Sequence, residues 1–239
     1  SECAITSIDP LCNFEQLPYK DFRSKFQNDL SQPPKSSFVR EALNTGLLLQ
    51  SQQDINPFKL GIIGSTDTHF GTPGSVDEDN FLGGGGAGKS YRTKIPKGLP
   101  DDVEFNPGGL AVVWAEENSR TSIFNALKRK EVYGTSGPRF LVRFFMGENL
   151  SLDLCNNTNA IPYSYENAVP MGGTLDSKNI SQARVFVSAS TDQSLEDQFI
   201  EKLQVIKGVV RDGIVETSVH DIQSSESSDL DLKSCKVDG

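Results

Sequence analysis

Short apolar runs separated by long polar stretches characterise the first half of the chain. Residues 60–63 (Leu-Gly-Ile-Ile) and residues 110–114 (Leu-Ala-Val-Val-Trp) are uninterrupted apolar segments, and each predicts a short, fully buried strand. The segment between them, residues 64–108, is longer than an ordinary connection, and segments of that length are usually functional or disordered.

Apolar residues at helical spacing flank these two segments. They predict one helix that ends near residue 52 and a second helix that Asn118 or Ser119 caps and that ends near residue 130. The order helix, strand, long loop, strand, helix predicts a parallel α/β layer. The residues expected to face the core are Val39, Leu43 and Leu47 in the first helix and Ile123, Phe124 and Leu127 in the second.

Beyond Gly137 and Pro138 the pattern changes to that of an antiparallel β region, with a hairpin turn at Arg211-Asp212-Gly213. From residue 223 onward Ser, Asp and Glu dominate, and this composition predicts a disordered tail. The expected strands are residues 140–145, 183–189, 202–210 and 214–219. The sequence therefore predicts three parts: residues 1–137, residues 138–222 and residues 223–239.

The charge balance excludes several classes of protein. With 32 acidic and 23 basic residues, the net charge of the 239-residue chain is −9, which argues against binding to nucleic acid through phosphate contacts. No apolar run approaches the roughly 20 residues that a membrane-spanning helix needs. We expect neither a nucleic-acid partner nor a membrane span in this chain.

Cysteine spacing and the chain ends bear on the compartment. No Cys-x-x-Cys pair is present, which excludes a zinc ribbon and a thioredoxin-like motif. The four cysteines are an even number, so disulfides are possible in an oxidising compartment, and a Cys3–Cys12 bridge is one of the open alternatives. Both ends look cut, so we expect a piece of a longer protein, with a periplasmic or secreted location favoured over a cytoplasmic one.

The residues from Gly83 to Ser90 match the phosphate-loop pattern G-x-x-x-x-G-K-[ST] in every letter. A phosphate loop requires a buried strand before it and a helix after it. The preceding residues 76–82 are acidic and polar, and Pro96 with Gly98 follows too soon for a stable helix. We therefore expect a flexible glycine loop and no nucleotide site.

Asp67 and His69 directly follow the first predicted strand. Asp and His two positions apart on an extended segment can direct a carboxylate and an imidazole at one cation. An Asp–His hydrogen bond that organises a loop needs the same spacing, so the spacing alone leaves both interpretations open. The other histidine, His220, is expected at the surface.

Residues 64–69 (Gly-Ser-Thr-Asp-Thr-His) resemble the last metal-ligand motif, Gly-Ser-Asp-x-His, of the PHP-like metal-dependent hydrolases, with Thr66 as an extra residue. Residues 63–74, 108–120 and 133–139 resemble a narrower bacterial group of PHP-like proteins with a domain of unknown function. The resemblance covers most of residues 1–220.

The resemblance implies the carboxy-terminal part of a distorted β/α barrel, followed by an antiparallel β-rich module. It implies two or three divalent metal ions (Zn, Mn or Fe) that activate water to hydrolyse a small-molecule phosphate, sulfate or carboxylic ester. Asp67 and His69 would be metal ligands, and Glu2 is an additional candidate. The first motif of these hydrolases, His-x-His, has no counterpart here, so this chain alone is expected to lack part of the ligand set.

Three further residues are candidates for the site. Glu116 follows the second predicted strand and would share the barrel face with Asp67, where a carboxylate could transfer a proton. A carboxylate at this position could equally stabilise the amino terminus of the next helix, an interpretation that we favour for Glu117. Arg120 and Arg139 could bind an anionic substrate group. The alternative for Arg120 is an exposed residue in the first turn of the second helix, and the alternative for Arg139 is a residue that stabilises the turn between the two modules.

A non-catalytic module is the alternative function. In that case the β region and the glycine-rich loop would bind a carbohydrate or a partner protein, and Asp67 and His69 would be structural. Trp114 is the only tryptophan, and its place in a predicted strand leaves no obvious aromatic platform for a sugar.

Overall fold

The structure is a computed structural model that describes residues 38–66, 74, 108–176, 178, 180–192, 200 and 202–224. The chain divides into two compact units. One, here called the helix–hairpin unit, contains the described residues up to Leu60 together with residues 204–222. The other, the two-sheet unit, contains the described residues from Gly61 to Leu203 and the last residues of the final strand.

The first sheet of the two-sheet unit is a two-stranded ribbon. Strand β1 (Leu110–Val113) pairs antiparallel with β2 (Val132–Thr135), so that Leu110 lies opposite Thr135 and Val113 opposite Val132. Helix α2 (Arg120–Arg129) connects the two strands. The Ser119 hydroxyl accepts a hydrogen bond from the Ser122 N–H (3.2 Å) and caps the helix, as the sequence predicts.

The second sheet of this unit has the order β4-β3-β5, with both pairings antiparallel. Its strands are β3 (Leu141–Gly147), β4 (Val169–Pro170) and β5 (Arg184–Ser190), and a short 3-10 helix (Leu154–Asn156) and α3 (Ala160–Asn167) lie between β3 and β4. Phe145, Leu150 and Leu154 are buried and form the core. The Phe145 ring contacts Tyr165 edge-on at 5.0 Å and stacks on Phe186 at 6.3 Å between centroids.

The helix–hairpin unit consists of α1 (Val39–Gln53) and a hairpin of β6 (Lys202–Arg211) and β7 (Ile214–Ser224). Asp212 and Gly213 both have positive φ angles, 50° and 76°, as the two central residues of a type I′ turn require. The Asn44 side-chain amide donates to the Thr217 hydroxyl (3.3 Å), which ties the helix to β7.

The prediction of a PHP-like β/α barrel is wrong for the described residues. Their strands form small antiparallel sheets of two, three and two strands, and none of these sheets closes into a barrel. The order helix, strand, long loop, strand, helix predicted a parallel layer, but residues 60–63 form no strand, and β1 pairs instead with β2, which the sequence did not predict. Here α2 returns the chain beside β1, and the Trp114 N–H donates to the Glu131 carbonyl (3.0 Å), so β2 runs back along β1. The division of the chain at residues 137/138 stays a prediction.

Three local expectations are also wrong. In α1, Val39 and Leu43 are exposed, and the buried residue of the helix is Gly46. Residues 60–63 form no strand, and Leu60, Ile62 and Ile63 are exposed. In α2, Phe124 and Leu127 are exposed, and the helix is buried through Ala126 instead. By contrast, the strands expected at residues 110–114 and in the four segments after residue 138 are confirmed to within a few residues.

Cys155, in the 3-10 helix, is disulfide-bonded to a partner outside the described residues. The Cys3–Cys12 alternative also lies outside them, as does the glycine loop from Gly83 to Ser90. Within the described part of the chain, no helix has both the length and the apolar character needed to cross a membrane.

Candidate functional site

The two ends of the β1–β2 ribbon carry the features that concern function. At one end, here called the Leu110 end, Leu110 pairs with Thr135. At the other, the Trp114 end, Trp114 continues the ladder beyond the Val113–Val132 pair by donating to the Glu131 carbonyl. Four residues of extended strand place the two ends roughly 13 Å apart.

The Leu110 end is crossed by the chain segment that leads to Asp67. The Gly64 N–H donates to the Leu110 carbonyl (3.2 Å). A Cβ atom at Gly64 would lie 2.7 Å from the carbonyl oxygens of both Leu110 and Thr135, and a Cβ at Gly109 would lie 2.9 Å from the Ser65 carbonyl oxygen. Only glycine permits backbone segments to approach this closely.

The segment 67–73, which carries Asp67 and His69, is flanked on both sides by residues near Leu110. On one side Thr66 is only 4% exposed. On the other side Gly74 has a φ angle of +72°, and its Cβ direction points to within 3.9 Å of the Leu110 side chain. Gly64 and Gly74, on the two sides of these residues, are therefore both close to Leu110.

The predicted metal ligands Asp67, His69 and Glu2 themselves lie outside the described residues. Among the residues that the structure does describe, no group of three or more His, Cys, Asp and Glu side chains could hold a metal ion. The expected ligand set therefore stays a prediction.

At the Trp114 end, the carboxylate of Glu131 is buried, with 3% of the residue exposed. Its Oε2 accepts a hydrogen bond from Arg129 Nε (2.8 Å), and its Oε1 accepts one from the Tyr165 hydroxyl. Arg143 Nη1 lies 3.7 Å from the same Oε1. A buried carboxylate requires such partners because desolvation would otherwise be very costly.

The end of α2 explains why Glu131 lies there. Lys130 adopts the left-handed conformation (φ 62°), and its N–H donates to the Leu127 carbonyl (3.1 Å), which ends the helix. The Glu131 N–H then donates to the Ala126 carbonyl (3.1 Å) as the chain enters β2. This reversal puts Arg129, in the last helical turn, beside the carboxylate of Glu131.

Arg143 stacks on the only tryptophan of the chain. Its guanidinium carbon lies 3.3 Å from the centroid of the Trp114 ring. The indole N–H of Trp114 donates to the Val142 carbonyl (2.9 Å), and Arg143 Nη1 donates to the Tyr165 hydroxyl (2.7 Å). Five side chains thus meet in one group, the Glu131 cluster. Arg129, Arg143 and Tyr165 come from α2, β3 and α3, Trp114 directly follows β1, and Glu131 directly precedes β2.

The environment shifts the pKa values of two members of this cluster, Arg129 and Tyr165. The hydrogen bond to Glu131 raises the pKa of Arg129 above its ordinary value and outweighs the effect of burial. Burial, followed by the hydrogen bond to Glu131, raises the pKa of Tyr165. Arg129 therefore remains cationic and Tyr165 remains a neutral hydrogen-bond donor.

The described candidates from the sequence lie at separate places. Glu116 follows β1, is highly exposed, and its carboxylate lies 3.3 Å from Arg129 Nη2. It therefore belongs to the Trp114 end, whereas the segment leading to Asp67 crosses the Leu110 end. Because residues 60–63 form no strand, the reasoning that placed Glu116 and Asp67 at the same end of two parallel strands does not apply.

The two arginine candidates and His220 are all exposed. Arg120 is the first residue of α2, and Arg139 lies in the connection between β2 and β3. His220 on β7 lies 2.9 Å from the Ser218 hydroxyl, in agreement with its expected surface position.

Sequence reasoning did not find the Glu131 cluster. Lys128 and Arg129 lie in the last turn of α2, where positive charges offset the helix dipole. An acidic residue directly after such a run looks solvated. The only sequence signal is its position between a basic run and the apolar strand that begins at Val132, and that signal is weak.

Comparisons with known proteins give a single result. No curated protein and no solved structure matches the chain. The family described as "Protein of unknown function (DUF3604)" matches residues 1–238, which is all but the last residue. The chain therefore belongs to this family.

Proposed function

We propose that the chain is part of a metal-dependent hydrolase in which Asp67 and His69 hold a divalent cation. The observation that carries this proposal is the Asp67-x-His69 pair on a segment whose flanks both lie against Leu110. Membership in the family described above assigns no activity, so the function has to be argued from these residues.

The donor types suit the proposed ion. A carboxylate and an imidazole are common ligands of Zn, Mn and Fe. The similarity of residues 64–69 to the last motif of the PHP-like hydrolases supports the same assignment, and we include an affiliation with those enzymes in the proposal. A bound divalent cation would supply a water molecule with a pKa lowered to near neutrality.

The described residues directly before Asp67 support a ligand-holding role for Asp67 and His69. Gly64 is bonded to Leu110 through its backbone, and Thr66, directly before Asp67, is buried. A side chain that follows a fixed backbone loses little entropy on binding an ion, which strengthens binding.

Two protein ligands do not complete a catalytic site, because such sites typically have three. Glu2 is our candidate for a third ligand within this chain, and residues outside positions 1–239 are the other source. The substrate class is a small-molecule phosphate, sulfate or carboxylic ester.

The test is elemental metal analysis of the naturally encoded protein beside the double variant Asp67→Ala/His69→Ala. We expect stoichiometric divalent metal in the parent protein, and we expect the double variant to lose both that metal and ester hydrolysis. The matched control is His220→Ala/Asp221→Ala, which removes the same two residue types from the exposed surface of β7. Equal metal content in all three proteins would refute the proposal.

The alternative of a carbohydrate-binding module finds little support. The guanidinium of Arg143 covers one face of Trp114, and the indole N–H is already bonded to Val142. A sugar platform needs an open aromatic face. Ligand binding that survives a chelator and maps to residues 140–220 would nevertheless favour the binding module over the hydrolase.

A further inference from the structure

One edge of the Arg143 guanidinium has no bond within the part of the chain that the structure describes. Its Nη1 contacts the Tyr165 hydroxyl (2.7 Å) and Glu131, and one face of its plane lies on the Trp114 ring. No hydrogen bond to a described residue involves Nε or Nη2. The side chain as a whole is 22% exposed.

The guanidinium is also held in place before any ligand arrives. Trp114 fixes its plane, and Tyr165 and Glu131 fix its rotation within that plane. Both carboxylate oxygens of Glu131 are occupied, one by Arg129 and the other by Tyr165, so Glu131 does not compete for the open edge. Binding at this edge would therefore cost little conformational entropy.

We propose that Arg143 binds an oxyanion, the phosphate or sulfate group of a ligand, through Nε and Nη2. The planar guanidinium presents two parallel N–H donors at the spacing of two oxyanion oxygens, and Trp114 closes one side of the site. The site lies at the Trp114 end of the ribbon. It is independent of Asp67, His69 and any metal, so the two proposals can fail separately.

The charges around the site set the expected affinity. Arg129 and Arg143 are balanced by Glu131 and by Glu116, whose exposed carboxylate lies 3.3 Å from Arg129 Nη2. The affinity therefore comes from oriented N–H donors rather than from net charge. We expect a dissociation constant on the order of 1 mM for the free anion. The Glu116→Gln variant should bind about twofold more tightly, because an opposing charge is removed.

The single tryptophan allows a direct test. Trp114 lies under the proposed donor, so its fluorescence emission reports on this site alone. The full chain is titrated with sodium sulfate and, separately, with sodium phosphate at constant ionic strength. We expect a saturable change in emission with both anions. In Arg143→Lys, which keeps the charge but loses the two-donor edge, the dissociation constant should rise at least about tenfold. The exposed Arg211→Lys on β6 is the matched control and should bind as the parent does.

Two results would overturn the proposal. One is a change in emission that does not saturate, and the other is an equal affinity in the parent and Arg143→Lys. Circular dichroism establishes whether the Lys variant is folded. If the Lys variant is not folded, the test uses the parent protein alone, titrated with the same anions and followed by NMR. The Nε–H resonance of Arg143 should then shift with the same midpoint as the Trp114 emission, and an unshifted resonance refutes the assignment.

Discussion

The two ends of the β1–β2 ribbon are stabilised in different ways. At the Leu110 end, contact is made by backbone atoms, and Gly64, Gly109 and Gly134 leave no room for side chains. At the Trp114 end, the backbone ladder stops and charged side chains make the contacts around the buried carboxylate of Glu131. The Leu110 end depends on glycines that have no side chain, and the Trp114 end depends on the charged side chains of Arg129, Glu131 and Arg143.

This difference determines what each end tolerates. Close backbone packing fails when any atom is added, whatever its chemistry. Removing a partner of a buried carboxylate destabilises the protein even when the side-chain volume is preserved, because an uncompensated charge remains buried. Substitutions of matched size can therefore distinguish the two ends.

The largest effect is expected for Gly134→Ala. The new Cβ would overlap the backbone nitrogen of Gly64 and lie 2.8 Å from the carbonyl carbon of Ile63, and neither backbone atom can move away freely. We expect the free energy of unfolding to fall by about 3 kcal/mol, measured by urea denaturation. The control is Gly208→Ala on β6, where the nearest atoms, at 3.1 Å, belong to the Asn44 and Leu47 side chains, which can move. If both variants lost the same free energy of unfolding, the close backbone packing at the Leu110 end would be no more sensitive to an added Cβ than the packing at Gly208.

A smaller effect is expected for Arg129→Met, which keeps much of the side-chain volume but removes the 2.8 Å contact to Glu131. We expect a loss of about 2 kcal/mol, reduced from the full value for a buried pair because Arg129 is partly exposed. The control is Arg211→Met on the hairpin, which breaks an exposed 3.2 Å pair with Glu216 and should cost about 0.5 kcal/mol. A loss no larger than that of the control would mean that Glu131 is satisfied without Arg129.

The smallest effect is expected for Tyr165→Phe, which removes one hydrogen bond to Glu131 but keeps the ring contact with Phe145. We expect a loss of about 1 kcal/mol at pH 7. Because the pKa of Tyr165 is raised in the folded protein, its contribution is fully present below the unfolded value of about 10 and is lost as the pH rises through the folded value. The parent should therefore lose more stability than Tyr165→Phe above about pH 10.

The measurement for Tyr165 is thermal unfolding of both proteins from pH 7 to pH 11. Burial also raises the pKa of Tyr133, so some alkaline loss should remain in the variant. Parallel curves for the two proteins over the whole range would show that the Tyr165 hydroxyl does not titrate with folding.

The sequence predicts most of the strands but not their arrangement. The alternating apolar residues of β3, β5, β6 and β7 are a local signal, and the Asp212-Gly213 turn fixes one pairing. Residues 60–63 have the composition of a buried strand, yet this segment is exposed, and the contacts nearby are made by the glycine backbone at Gly64. Backbone-to-backbone approach has no apolar signature, so periodicity misassigns it.

The functional residues likewise divide into those that a local sequence pattern identifies and those that only tertiary contacts bring together. Asp67 and His69 are found from sequence because ligand types at short spacing are a local pattern, and they stay a prediction. Glu131 is not found, because its partners Arg143 and Tyr165 come from β3 and α3, and only tertiary contacts bring them together. Ser119, whose role depends on the next three residues, is one of the two cap residues that the sequence predicts, and the structure selects it over Asn118.

The helix–hairpin unit also has a consequence for the order in which the chain folds. Asn44 on α1 and Thr217 on β7 are bonded across a sequence separation of 173 residues, and most of the two-sheet unit lies between them. Closing an unstructured loop of this length costs about 5 kcal/mol. During synthesis, α1 emerges from the ribosome long before the hairpin against which it packs, so the unit at the start of the described chain is the last to be completed.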